Sequence, residues 1–289
     1  MRRTLLLLCL SLVVGTASHA QAVPPAAVAL KMRDSEATAV LNRALTEPTF
    51  WADAKLWQYA GRMYDEVRLK PLGQAYVPMI SGESDENIPR ESVAEIVFHQ
   101  QNRLPNYMDG AVAVVNLGTG TDSVTGVAYQ DTYFLLDLTF FYGWFFQRMY
   151  RVEEPTRSVL AFEKLTSKDV DAATWASYSS KATAAYEAAP KGSWLRLLAD
   201  QEVTSLYGMF VVSRGNEKES RVTFVSKLGF GGDSSWVAQA GSKMPGVIRS
   251  GLEHGFDASV LLAKRERDRR AKLPPPAPTP VPAAAPGAP

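Results

Sequence analysis

One long amphipathic segment, residues 234–263, constrains the fold more than any other feature of the chain. On a helical projection of about 100° per residue, it places an apolar stripe within roughly 60° of one line. The stripe consists of Val237, Gly241, Met244, Ile248, Gly251, Leu252, Gly255, Ser259 and Leu262. Glycine costs about 1 kcal/mol relative to alanine inside a helix, so the inner glycines indicate a close approach to another layer or space for another molecule. The segment therefore predicts a helix about 45 Å long, kinked or restarted at Pro245, that packs against a second layer.

Strand patterns rich in aromatic residues precede that helix. They cover residues 74–80, 111–117, 129–141, 143–152, 156–165, 206–214 and 219–230, with a hairpin turn expected at Gly215 and Asn216. In the third stretch the even-numbered residues from Phe134 onward are apolar, whereas Asp131 and Asp137 lie on the other face. Because side chains alternate along a strand, we expect the even face to be buried and both carboxylates to face outward.

Helical patterns occupy four other stretches. Residues 34–45, 49–67 and 91–98 carry apolar side chains at helical spacing. In the second of these stretches the spaced residues are Leu56, Tyr59, Met63 and Val67. Residues 167–189 are rich in Ala, Ser and Lys and predict a helical insertion between strands.

The beginning of the chain has the pattern of a cleaved export signal. Arg2 and Arg3 precede an apolar run at residues 5–14, and Ser18 and Ala20 put small residues at a cleavage site. Such a run spans only about 15 Å as a helix, half of a hydrocarbon core of roughly 30 Å, so it is too short for a transmembrane anchor.

Two other signals fit this segment less well. A lipoprotein signal needs a small residue before Cys9, where Leu8 stands, and a twin-arginine signal fits the Arg pair but not the strongly apolar run. Cleavage after Ala20 would make Gln21 the first mature residue and remove the single cysteine. We therefore expect secretion across the inner membrane into the periplasm.

The other end of the chain predicts no packed structure. Residues 273–289 are almost all Pro and Ala and should form an extended, disordered tail. Residues 264–270 are mixed in charge, which fits a solvated helix end or, as the alternative, a transient contact with anionic headgroups at a membrane surface. The expected divisions are a signal peptide at 1–20, an N-terminal helical extension at 21–71, a main domain at 72–264 with an insertion at about 167–203, and a charged, then disordered tail at 265–289.

Composition excludes several classes of function. A formal net charge of +1 gives no basic excess for nucleic acid, and one Cys with three His excludes a multi-cysteine zinc site. The Gly-rich pieces at 118–120 and 229–232 lack the context of a nucleotide-binding loop, and no Gly-x-Ser-x-Gly elbow is present. We interpret His99 as structural, and His254 as structural or at a cavity edge. No catalytic residue, metal or cofactor is expected.

These elements resemble the START-like helix-grip superfamily, also called SRPBCC. Residues 89–93 and 102–108 are similar to its first helix and the turn after it. Residues 129–151 are similar to its two longest strands, and residues 220–245 to its last strand and closing helix. Residues 140–146 lack the Pro and the Arg-Asp pair of many bacterial members. The resemblance implies an exported bacterial member with an α+β helix-grip fold, in which a curved antiparallel sheet of about seven strands wraps around a long C-terminal helix, here with extra N-terminal helices.

The resemblance also implies an apolar cavity between the sheet and the closing helix. The residues expected to line it are Phe134, Leu136, Trp144, Phe146, Phe224, Met244, Ile248, Gly251 and Leu252. The chain is then a non-enzymatic binder or carrier whose partner is a lipid or another apolar small molecule. Two alternatives remain, an enzyme of the cyclase or hydrolase type and a protein-interaction adaptor with a filled core. Sequence leaves the ligand's identity and the oligomeric state open.

Overall fold

The computed structural model describes most of the chain between Leu30 and Leu273. The described residues are 30–47, 55–59, 62–66, 70–72, 75–77, 80–86, 88–123, 125–138, 141–190, 199–214, 220–230 and 245–273, and their side chains are described over 30–47, 88–123, 125–138, 141–190, 199–213, 220–230 and 254–273. The signal peptide expected at 1–20 lies outside these residues, as does the Pro/Ala-rich sequence from residue 274 onward.

Groups of consecutive strands are separated by helices along the described part of the chain. The α-helices are α1 (Ser35–Thr46), α2 (Arg90–His99), α3 (Ala172–Ala188) and α4 (Pro245–Ala271), and a 3₁₀ helix (Gln101–Asn106) follows α2. The strands are β1 (Lys55–Tyr59), β2 (Arg62–Glu66), β3 (Lys70–Leu72), β4 (Ala75–Val77), β5 (Ile80–Glu86), β6 (Ala111–Thr121), β7 (Ala128–Asp137), β8 (Tyr142–Glu153), β9 (Arg157–Lys164), β10 (Gln201–Glu202), β11 (Ser205–Arg214) and β12 (Ser220–Gly229).

Seven of these strands form the curved antiparallel sheet that the sequence predicts. They lie side by side in the order β5, β12, β11, β9, β8, β7 and β6. The β1–β2 hairpin continues the sheet beyond β5, β10 pairs in parallel with β8, and β3 and β4 form a small sheet of their own. The α+β helix-grip architecture, with α4 as its long C-terminal helix, is confirmed.

The inner face of the sheet, defined as the face toward α2 and α4, is packed with aromatic side chains. Phe162 of β9, Phe210 of β11, Phe224 of β12 and Phe256 of α4 form one block. The ring centroids of Phe210 and Phe224 are 4.7 Å apart, and those of Phe224 and Phe256 are 5.6 Å apart. Aromatic contact in the middle of the sheet therefore holds the middle of α4 in place.

The outer face of the sheet is the opposite one, and α1 covers part of it. Ala37 and Leu41 of α1 are fully buried in a cluster with Tyr207 and Met209 of β11. Asp34 caps the start of this helix, since its carboxylate accepts hydrogen bonds from the second and third backbone amides. The N-terminal helix predicted at 34–45 is confirmed, and it serves as a second layer.

Helix α3 covers another part of the outer face. Tyr178 and Ala182 pack in a cluster with Leu135 of β7 and Phe146 of β8. This corrects the expectation that Asp131 faces solvent, because its side chain is fully buried. The sequence pattern predicts that one face of β7 is buried, whereas α3 covers the other face of this strand as well.

A network of charged and phenolic groups accommodates the buried carboxylates of the outer face. The guanidinium of Arg148 donates two hydrogen bonds of 2.7 Å to Asp131 and one of 3.0 Å to Asp122. Arg33 donates to the same Asp122 oxygen at 2.6 Å, and Tyr178 donates to Asp131 at 3.0 Å. The ring of Tyr129 lies 3.8 Å from the guanidinium carbon of Arg148. The network therefore joins the N-terminal segment, the sheet and α3.

The helix expected at residues 49–67 is wrong. Residues 55–59 and 62–66 are strands that pair antiparallel, with Trp57 opposite Tyr64 and Tyr59 opposite Arg62. Aromatic residues favour strands, and β2 also pairs with β5 at the edge of the main sheet. Backbone pairing with that edge outweighs the helical spacing of the apolar residues.

The last helix differs from its predicted limits. It begins at Pro245, a residue suited to a first helical turn, and it ends at Ala271 rather than at residue 263. The charged run is thus helical, and Glu266 within it is buried, paired with Arg103 at 2.9 Å and with Arg269 at 2.8 Å. Residues 234–244 lie outside the described residues.

The aromatic block yields a test of the fold. Phe256→Ala should destabilise the protein by about 3–5 kcal/mol, because it removes a fully buried ring and leaves a cavity. Leu261→Ala on the same helix is the control, since Leu261 is 37% exposed and its loss should cost about 0.5 kcal/mol or less. Urea unfolding measures both, and equal stabilities would show that the sheet does not grip α4.

The outer-face network yields a second test. Arg148→Met should cost about 3–5 kcal/mol, because Asp131 and Asp122 would stay buried without their cation. Arg151→Met on the same strand removes a pair with the exposed Glu153 and should cost at most about 1 kcal/mol. Thermal and urea unfolding compare the two variants. A harmless Arg148→Met would contradict the structural role of the network.

Candidate ligand-binding site

An apolar interior lies between the inner face of the sheet and the helices α2 and α4. Phe134 of β7 and Phe145 of β8 stack there with their centroids 4.9 Å apart. Val97 and Phe98 of α2 belong to the same buried cluster. Because side chains alternate along a strand, each strand directs every second residue into this interior.

Three of the nine residues predicted to line a cavity lie in this interior. Phe134, Leu136 and Phe224 are buried members of its cluster. Ile248, Gly251 and Leu252 lie in the first turns of α4, where side chains are outside the described residues. Met244 lies outside the described residues altogether.

The structure places Trp144 and Phe146 on the outer face instead. Phe146 packs on Trp175 of α3 with a centroid distance of 4.7 Å, and Trp144 meets Phe146 at 6.3 Å. The physical reason is the pairing of the strands, which puts Tyr133 opposite Phe146 and therefore gives even numbers on β8 the outer face. These two residues support α3 and do not face α4.

Several residues of the interior were not predicted from the sequence. Phe145, Phe162, Phe210 and Phe256 all belong to its cluster. Phe256 follows Leu252 by four positions and therefore lies on the same face of the helix, so the helical spacing could have indicated that Phe256 is buried. The strand residues required the relative register of neighbouring strands, which one sequence does not give.

The interior reaches the surface at one end through a rim of partly buried apolar side chains. The rim consists of Tyr107, Met108, Leu138, Leu228 and Phe230. Phe230 contacts Phe141 edge to face at 5.6 Å, which brings the end of β12 beside the turn between β7 and β8. A methyl group added at Gly255 of α4 would lie 3.9 Å from Met108, so α4 passes this rim without crowding it.

Neutral polar groups lie deeper on the inner face. Gln130, Thr132 and Gln147 are buried there on β7 and β8, and Gln101 of the 3₁₀ helix lies over them. Nε2 of Gln147 donates to Oε1 of Gln101 at 3.2 Å, and Nε2 of Gln101 lies 3.0 Å from the sulfur of Met149. These four polar groups are amides and a hydroxyl. An ion pair between Arg151 and Glu153 lies further along the same face, at the end of β8, where Glu153 also accepts a hydrogen bond from Ser158 at 2.6 Å.

A separate cavity of about 200 Å³ opens on the outer face. Its lining residues are Leu30, Lys31, Met32, Thr125, Val127, Tyr150, Val152 and Ala161. It lies between the N-terminal segment and strands β8 and β9, on the side of the sheet away from α4. It is therefore distinct from the cavity that the sequence analysis expected.

Glu163 beside this cavity is the buried carboxyl with the clearest electrostatic perturbation. Burial raises its pKa, although the backbone amides of Arg33 and Asp34 and the hydroxyl of Tyr150 all donate to the carboxylate. Because the folded-state pKa exceeds the ordinary glutamate value, its contribution to stability is present at low pH and is lost as pH rises through the folded-state pKa. Glu163 fastens the N-terminal segment to the sheet and does not reach the apolar interior.

The remaining candidates for chemistry do not form a site. His99 and His254 are both exposed, and His99 meets the ring of Phe98 at 4.8 Å. Within the described residues no three His, Cys, Asp or Glu side chains are grouped so that they could hold a metal ion. None of the helices that the structure describes is long and apolar enough to cross a membrane.

Comparison with known proteins gives structural matches only. No protein-family model and no curated protein matches the sequence. Human STARD10 matches with a TM-score of 0.52 and 7% identity, over 86% of this chain and 88% of that one. Human StAR-related lipid transfer protein 5 matches with a TM-score of 0.49 and 10% identity, over 80% of this chain and 96% of that one.

A bacterial structure is similar to about the same degree. The STAR-related lipid transfer protein from Xanthomonas axonopodis matches with a TM-score of 0.48 and 11% identity, over 74% of this chain and 98% of that one. At such identities the likeness shows the fold alone, and the match to STARD10 carries it. Together with the sheet order and the gripped α4, it identifies the chain as a protein of START-like helix-grip fold.

Proposed function

We propose that the chain binds a lipid or another apolar small molecule between the inner face of the sheet and α4. One observation carries the proposal: the buried apolar interior continues outward into the partly exposed rim of Met108, Leu138, Leu228 and Phe230. Partly exposed apolar groups that continue a core mark binding sites more often than isolated ones do. The START-like fold shared with human STARD10 supports a lipid or another hydrophobic molecule as the ligand.

The aromatic block limits where such a ligand can lie. Phe162, Phe210, Phe224 and Phe256 contact one another and fill the middle of the interior. The ligand therefore lies along β7, beside Phe134 and Leu136, and extends toward the rim. The predicted stripe residues Gly251 and Leu252 belong to the part of α4 before Phe256, and we propose that they line the same space.

Burial alone supplies the affinity that this function needs. Removing apolar surface from water is favourable by about 25 cal/mol per Å², so 100 Å² contributes about 2.5 kcal/mol before the cost of association. The amides and the hydroxyl around Gln130 and Thr132 include no general base, and the carboxylate of Glu153 on the same face is partly exposed at the end of β8 and paired with Arg151. These properties favour a binder or carrier over an enzyme of the cyclase or hydrolase type.

Lipid binding has a direct test. Protein purified from its native compartment should release an apolar molecule into solvent, detected by mass spectrometry, and should bind pyrene-labelled dodecanol. Leu136→Trp should weaken that binding at least tenfold by filling the space along β7. Trp144→Phe on the outer face is the control and should leave binding unchanged.

Two results would contradict lipid binding. One is a wild-type protein that releases no apolar molecule and binds no probe. The other is a Leu136→Trp protein that binds normally and loses about 1–3 kcal/mol of stability, the cost expected when a close-packed core is overfilled. Either result would favour an adaptor with a filled core.

We further propose that the protein is exported and acts in the periplasm. The proposal is supported by Arg2 and Arg3, the apolar run at 5–14 and the small residues at Ser18 and Ala20. N-terminal sequencing of the protein from the periplasmic fraction should begin at Gln21. A soluble protein that retains Met1 would contradict export and leave the binding proposal untouched.

A further inference from the structure

Two polar side chains on the inner face of β7 are buried without a hydrogen-bond partner. They are the hydroxyl of Thr132 and the amide nitrogen Nε2 of Gln130, in residues that are 0% and 1% exposed. Buried polar groups almost always have partners, because leaving one unsatisfied forfeits its hydration. Two such groups, two positions apart on one strand face, indicate that an additional polar group binds between them.

The neighbouring amides do not fill this role. Gln147 lies directly opposite Thr132 on β8, yet its Nε2 donates to Gln101, whose own Nε2 points to the sulfur of Met149. Gln130 lies opposite Met149, whose thioether is a weak acceptor. Both unsatisfied groups can donate, and the amide nitrogen of Gln130 can only donate, so a hydrogen-bond acceptor fits both of them.

Of the described charged residues of these two strands, only Arg151 and Glu153 share the inner face, and they pair with each other at 2.6 Å at the end of β8. Asp131, between the two donors in sequence, is turned toward Arg148 in the outer-face network. Around Gln130 and Thr132 the described inner face thus offers amides, a hydroxyl and apolar groups, and the cation beyond them, Arg151, is already paired with Glu153. An ionised carboxylate or phosphate would lose its hydration there without gaining an unpaired cation, which disfavours charged headgroups.

The inner face of β7 leads from these donors to the rim. Thr132, Phe134 and Leu136 point the same way, and Leu138 of the rim follows them. At about 3.4 Å per residue, the path from Thr132 to Leu138 is roughly 20 Å long. A long apolar molecule that lies along this path places its inner end beside Thr132 and Gln130.

We propose that Gln130 and Thr132 form an inner polar anchor that binds an uncharged oxygen, a hydroxyl or a carbonyl, at one end of an otherwise apolar ligand. The inference rests on the proposed function and narrows its ligand class to long neutral amphiphiles. The ligand enters with its oxygen innermost and its apolar end toward Met108 and Leu138. Thr132 donates to the ligand oxygen, and the Gln130 amide donates to the same atom.

Three probes that differ in one end group test the anchor. Pyrene-labelled dodecane, dodecanol and dodecanoic acid are titrated against the full chain at neutral pH. The wild type should bind the alcohol about three- to tenfold more tightly than the hydrocarbon, as expected for one or two neutral hydrogen bonds. It should bind the ionised acid most weakly of the three.

Isosteric variants test whether Gln130 and Thr132 cause the preference for the alcohol over the hydrocarbon. Thr132→Val and Gln130→Met should abolish the preference for the alcohol and keep the affinity for the hydrocarbon. Because each change removes an unsatisfied group, the melting temperature should stay equal or rise, which shows that the variants fold. Thr223→Val, on the outer face of β12, is the control and should keep the preference.

Each other outcome overturns the anchor in a distinguishable way. Binding of neither uncharged probe would overturn both the anchor and the proposed function. Equal binding of alcohol and hydrocarbon by the wild type would leave the proposed function standing and assign the two donors to an internal water. A preference that survives both isosteric changes would place the polar contact elsewhere.

Discussion

The bidentate pair between Arg148 and Asp131 is the contact on which the rest of the structure depends. The pair joins β7 to β8 on the outer face, where both side chains are buried. Arg148 also binds Asp122 from the loop between β6 and β7. Arg33 and Tyr178 then bind the same carboxylates and bring in the N-terminal segment and α3. Buried ion pairs often add little net stability, so their main effect here is to specify where the added layers dock.

The two faces of the sheet are stabilised by different kinds of interaction. The outer face combines the apolar clusters under α1 and α3 with directed hydrogen bonds, which have one best geometry. The inner face is held by apolar packing, which is less directional and tolerates a guest molecule more readily. The interior therefore differs between its surface end and its deep end. Partly buried side chains form the rim at the surface, the aromatic block fills the centre, and two unsatisfied donors lie deeper along β7.

The limits of prediction are clearest at particular residues. Phe134, Leu136 and Phe224 were predictable, because charged or polar residues such as Asp131, Asp137 and Thr223 mark the opposite face of the same strands. Trp144 and Phe146 were not, because an aromatic run shows no alternation and the face is set by pairing with β7. The prediction for residues 49–67 failed for the same reason, because the sequence does not show which strand a segment pairs with. The spacing of the apolar residues there fits a helix, but it is also compatible with two antiparallel strands beside β5.

The sequence by itself determined the order of the main elements from α2 onward, the apolar even-numbered residues of β7 from Phe134, the helical insertion and the long closing helix, since these follow from local periodicity and turn chemistry. Only the tertiary structure decided that the outer face is also buried, that Asp131 faces Arg148 rather than water, and that Thr132 and Gln130 lack partners. The reason is physical. Burial and hydrogen-bond satisfaction depend on residues far apart in the chain, and strand register together with helix docking brings those residues together.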